Sequence, residues 1–148
     1  MTGYEPILFD SNILVYAHNL YSPFYKKAKE LHKQVVFKSL KGVVAIQNLL
    51  EFYATITSPK LVGNRQVPKN AHRSCLVYFK AGFRIIYPKH DDLQNALYLA
   101  EKNNISGKKI FDLYLVATML SNGIETIYTA NDKDFKDFSE IKAVNPFV

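Results

Sequence analysis

The chain has a single cysteine, Cys75, in 148 residues. No intrachain disulfide can form, so a disulfide-stapled framework is excluded and a reducing compartment, the cytoplasm, is expected. Glycine is sparse, and Gly63, Gly82, Gly107 and Gly123 stand isolated. No glycine-rich loop is present to cradle a phosphate, which leaves a dinucleotide site unsupported. His18, His32, His72 and His90 have no metal-ligand spacing, and each reads as a surface or packing residue. No apolar run approaches the roughly 18–20 residues that span a bilayer. The opening Met1–Pro6 lacks the basic and apolar regions of a signal peptide. Repeats, low-complexity tracts and Gly/Ser linkers are absent too, and one domain is expected over residues 1–148.

Acid is also missing where it would be expected. Between Glu51 and Asp91 no Asp or Glu occurs, while Lys60, Arg65, Lys69, Arg73, Lys80, Arg84 and Lys89 fall there. From Asp91 onward the balance reverses, although the whole chain carries a net charge of +6. Such asymmetry suits a basic surface for a polyanion beside an acidic site, and it equally suits a solvated basic face. Lys60, Arg65, Lys69 and Arg73 are the candidate contacts for a nucleic-acid backbone, which would supply affinity without sequence information.

What is present is an alternation of short apolar runs and amphipathic stretches. Residues 6–10 read as a strand apolar on both faces, followed by a polar turn at Ser11-Asn12. Further strands are expected at 43–45, 83–87, 126–129 and 143–144. Helices are expected at 24–38, 47–57, 69–81, 91–103 and 110–122, the last closing at Asn122-Gly123. Ser58-Pro59 ends the second helix, and residues 60–67 read as an exposed loop. Strands alternating with helices predict a parallel α/β sheet covered on both faces. In such sheets ligands bind at the carboxyl ends of the strands, where Asp10 and Asn131-Asp132 fall.

Three acids sit inside or at the end of apolar segments. Asp10 ends Ile7-Leu8-Phe9, Glu51 interrupts Leu49-Leu50 and Phe52-Tyr53, and Asp112 opens Leu113-Tyr114-Leu115-Val116. A buried unpaired carboxylate costs several kcal/mol, so such groups are paired, hydrogen-bonded or bound to a metal. Each has an ordinary local reading as well. Asp10 and Asp112 can cap helices, Glu51 can pair with a lysine, and Asp132 and Asp134 can be turn residues.

Taken in order, these segments resemble PIN-domain nucleases of the VapC-like toxin type. Asp10-Ser11-Asn12 resembles the opening Asp-x-Asn motif, and Glu51 the second, helix-borne acid. Phe111-Asp112-Leu113 resembles the third acid ahead of an apolar helix, and Thr129-Ala130-Asn131-Asp132 with Asp134-Phe135 the closing segment. The likeness runs from residue 7 to 135. It implies a PIN-like three-layer α/β/α domain with a central, mostly parallel sheet of four to five strands. It also implies an Mg²⁺- or Mn²⁺-dependent ribonuclease, homodimeric and held inactive by a small antitoxin.

On this resemblance Asp10, Glu51, Asp112 and Asp132 are the catalytic and metal-binding set, with Glu51 binding metal or orienting the attacking water. Asn12 supports a ligand carboxylate by hydrogen bonding. The fourth position has alternatives: Asn131 stands where many members carry the acid, and Asp134 belongs to the Asp-Phe turn. Hard cations take carboxylate oxygens, and phosphodiester hydrolysis needs a polarised phosphate and an activated water. The helices around 47–57 and 69–81 are where dimer or antitoxin contacts are expected. Rival readings are an RNA-processing nuclease outside toxin–antitoxin systems, a catalytically weakened RNA-binding regulator, and a phospho-accepting receiver domain.

Overall fold

The computed structural model describes residues 5–61 and 65–148; the loop expected over 60–67 therefore lies partly outside the described residues, at 62–64. Five strands, β1 (Pro6–Phe9), β2 (Lys41–Ala45), β3 (Arg84–Ile86), β4 (Thr126–Tyr128) and β5 (Lys142–Val144), form one sheet in the order β3-β2-β1-β4-β5. Every pairing is parallel. Helices α1 (Ser11–Ala17), α2 (Tyr25–Val36), α3 (Ile46–Ile56), α4 (Pro68–Val77), α5 (Asp92–Lys102) and α6 (Lys109–Ser121) make the crossovers. Among the described residues no helix is long and apolar enough to cross a membrane.

The period of two in β1 divides its side chains between two cores. Ile7 and Phe9 pack with Ile13, Leu31, Leu49, Phe52 and Tyr78 beneath α1–α4. Leu8 joins Val43, Ala45, Leu113, Val116 and Met119 beneath α5 and α6. A central parallel strand buried on both faces has to be apolar at every position, and this one is. The helical layer over β2 sits very close: a Cβ on Gly42 would lie 2.6 Å from Val35 Cγ2 and 2.7 Å from the Phe83 ring. Glycine is the residue that admits α2 there.

Helix α6 is apolar nearly all round, as a helix roofed by α5 and floored by the sheet must be. Its end is a Schellman closure: Gly123, at φ +76°, donates to the Leu120 carbonyl, and Ile124 donates to the Met119 carbonyl at 2.9 Å. Two expectations are corrected. Ser11-Asn12 is the first turn of α1 rather than a turn between elements, because Asp10 caps it with extended backbone and a carboxylate accepting from the Ser11 amide at 2.8 Å. Helix α4 stops at Val77, not 81; beyond it the amides of Tyr78, Phe79 and Lys80 reach carbonyls three residues back, and the turn tightens.

Candidate active site

Strand order places the site. The chain moves from β1 outward to β2 and β3 on one side, then returns to put β4 and β5 on the other. The crevice between the carboxyl ends of β1 and β4 is the point at which the crossovers diverge, where open parallel sheets bind ligands. Asp10 follows β1 directly and Thr129 follows β4, and the Asp10 amide donates to the Tyr128 carbonyl at 3.0 Å.

Thr129, fully buried, organises this crevice. Its hydroxyl donates to Asp10 Oδ2 at 2.8 Å and accepts from Asn12 Nδ2 at 3.2 Å and from the Asn131 amide at 3.0 Å. One donor and two lone pairs are all a hydroxyl has, so the group is saturated. Asn12 also accepts from the Ala130 amide at 3.2 Å. Its carboxamide therefore clamps the loop after β4 and reaches Asp10 only through Thr129, not by bonding a carboxylate itself. Thr129 is the residue of this crevice to which the sequence alone gave no role. Its signal was present, as the threonine that opens the closing segment.

A cleft of about 330 Å³ gathers Asp10, Glu51, Asp112, Asn131 and Asp134, with Asn12, Tyr16 and Thr55 in its wall. Helix α3 supplies Glu51 from its exposed rim, and the first turn of α6 supplies Asp112. Gln47 Nε2 donates to the Phe111 carbonyl at 3.0 Å and ties those two helices together. The 3-10 turn Asp132–Phe135 supplies Asp134. Asp132 does not line the cleft; it opens onto a neighbouring cavity of about 560 Å³ with Lys133, Asn145 and Val148, which Asn131 and Asp134 border as well. The cause is the tight turn itself, in which residues two apart project about 120° from one another. The structure thus brings Asp134 to the other acids and leaves Asp132 beside them.

The acids feel one another. Burial raises the Asp10 carboxyl, and the charge of Asp134 adds to this against the bonds from Thr129 and Ser11. Partial burial of the Glu51 carboxyl, with the charges of Asp10 and Asp112, outweighs a hydrogen bond from Gln47 and pushes it up to about 7. Burial raises Asp112 as well; Lys109 opposes that, and Asp134 and Asp10 reinforce it. The arrangement crowds like charges in a polar cleft, a pattern associated with functional sites. Among the described residues no three acidic, histidine or cysteine side chains yet converge tightly enough to enclose an ion. The donor set is all oxygen, which fits a hard divalent cation rather than a soft one.

The candidate cations divide. Lys60 lies in a crevice with Thr55, which also walls the acidic cleft. Arg65 donates from Nε to the Thr57 carbonyl at 3.0 Å, at the end of α3. Lys69 is exposed on the first turn of α4. Arg73 lines a different groove, with Leu76, Val77 and Lys80.

Carboxylates crowded at the switch point of a five-stranded parallel sheet define a class of protein, and comparison of the sequence names it. Residues 7–141 match the PIN domain, and the chain belongs to that family. Within it, the chain is 28% identical over 151 residues to Ribonuclease VapC48 of Mycobacterium tuberculosis, covering 94% of this chain and 96% of that one. Its fold resembles that of Mycobacterium tuberculosis VapC20, a sarcin-ricin loop cleaving toxin (TM-score 0.67, 14% identity, 89% and 95% of the two chains). It also resembles VapBC2 from Rickettsia felis bound to a promoter DNA fragment (TM-score 0.65, 17% identity, 95% and 98%).

Proposed function

We propose that this chain is a metal-dependent endoribonuclease of the VapC type, the toxin of a toxin–antitoxin pair. The observation that carries the reading is the single cleft holding Asp10, Glu51, Asp112 and Asp134 in a chain of this family. The likeness to Ribonuclease VapC48 supports RNA as the substrate, and the likeness to VapBC2 supports an antitoxin partner.

Asp10, Asp112 and Asp134 would hold Mg²⁺ or Mn²⁺, with Asp134 taking the fourth position in preference to Asp132. A hard cation bound there supplies a polarised phosphate oxygen and an acidified water. Asp10 is oriented for this by the Ser11 amide and the Thr129 hydroxyl, which fix both carboxylate oxygens. Glu51, whose carboxylate faces the same cleft from α3, would orient the attacking water and accept its proton. Single-stranded or looped RNA enters past Thr55 and Lys60, where its phosphates meet positive charge. Exposed Leu50 on α3 and exposed Leu76 and Val77 on α4 offer apolar surface for the antitoxin or a second copy of the chain.

The test is cleavage of a mixed pool of structured RNA, with and without Mg²⁺ or Mn²⁺, by the native chain and by Asp112→Asn. Metal-dependent cleavage by the native chain, abolished in the variant, is expected. Folded, inhibitor-free protein that cleaves under neither metal would sink the reading.

A further inference from the structure

Lys109 is the first residue of α6, where the helix dipole and the unsatisfied backbone amides disfavour a cation. A residue that breaks a local rule marks a place where something else compensates. Here the ammonium turns away from its own helix. Nζ donates to the Asp134 backbone carbonyl at 2.6 Å and stands 5.8 Å from the centre of the Phe138 ring. Asp112 follows three residues later, on the same face of α6. Lys109 therefore connects the element that carries Asp112 to the turn that carries Asp134, and its charge acts on the first of these acids.

We infer that Lys109 is a positioning residue of the acidic site: it clamps the Asp132–Phe135 turn onto α6 and so sets the separation of the Asp112 and Asp134 carboxylates. This rests on the metal-dependent reading of the cleft. Two consequences of the same ammonium oppose each other. As a bare positive charge it repels an incoming cation, and its removal would tighten binding. As a clamp it presents Asp134 to the site, and its removal loosens binding. The bond to a backbone carbonyl favours the clamp, because it forms whether or not the carboxylates are neutralised.

The experiment compares the native chain with Lys109→Met and Lys109→Arg, titrating Mn²⁺ by isothermal calorimetry and measuring kcat and KM on one RNA. Groups that orient metal ligands typically contribute about 10–100-fold to metal affinity, and a loss of that size is expected in Lys109→Met. Lys109→Arg, which keeps a charged donor, should recover most of it. At saturating Mn²⁺, kcat should fall in the Met variant while KM stays put. Should Lys109→Met fail to give a native far-UV spectrum, Lys109→Gln, equally uncharged and too short to reach, carries the same expectation. Unchanged or tighter Mn²⁺ binding in the uncharged variant overturns the clamp and leaves the nuclease reading standing. No Mn²⁺ binding by the native chain overturns both.

Discussion

Glu51 is the residue whose chemistry is easiest to isolate. Its carboxyl rises from 4.5 to about 7 on folding, so between those values the native state holds more protons than the unfolded chain. Stability contributed by this group must then fall as pH rises through that window. Asp10 and Asp112 are raised too and act in the same direction. His32 works oppositely: burial lowers it to about 4, so its contribution grows as pH climbs from there toward 6.5. The total profile mixes both signs, and only a difference is diagnostic. In EDTA, the melting temperature of the native chain minus that of Glu51→Gln is expected to drop between pH 4.5 and 7. A difference flat across that range would show that Glu51 is not held in a crowded acidic site.

At the scale of elements, the 3-10 turn decides which acid faces the cleft. Asp134→Asn should lower kcat with Mn²⁺ by at least about tenfold, since even groups that only orient ligands contribute that much. Asp132→Asn should change it by less than about threefold, the size of an ordinary surface substitution. Steady-state cleavage of one RNA by the two variants decides this, and the reverse ranking would return the role to Asp132. The sequence alone could not choose between them, because one residue of register in a tight turn swings a side chain by a third of a circle. The same limit explains α1: seven residues give two turns, too few for periodicity to show, and Asp10 looked like the end of a strand while also being a cap. Other elements were legible. Double-faced apolar character gave β1, Asn122-Gly123 closed α6, and the order of strands and helices gave the parallel sheet. Asp10, Glu51 and Asp112 were legible for a related reason, since a carboxylate in apolar surroundings has few ordinary explanations. Lys109 was not, and Thr129 showed only as a motif letter without a role, because their contacts are with residues far away in sequence.

For the whole molecule the question is how an acidic cleft receives a polyanion. If RNA is the substrate, the net charge of +6 would raise its concentration near the surface, while the acids themselves would repel its phosphates. On the ribonuclease reading, cations at the cleft's edge are the groups that would guide the strand, and the structure separates candidates that the sequence grouped. Lys60 shares Thr55 as a neighbour with the acidic cleft, whereas Arg73 faces another groove. Each phosphate neutralised on a single strand contributes about 0.7 to the slope of log affinity against log salt. With the non-cleaving Asp112→Asn background and a fluorescent single-stranded RNA, adding Lys60→Ala should reduce that slope by about 0.7. Adding Arg73→Ala should leave it unchanged while keeping RNA affinity within about twofold, as expected for a surface position off the path. Equal losses from both would mean the strand crosses α4 as well, making the whole acid-free stretch from 52 to 90 the binding face.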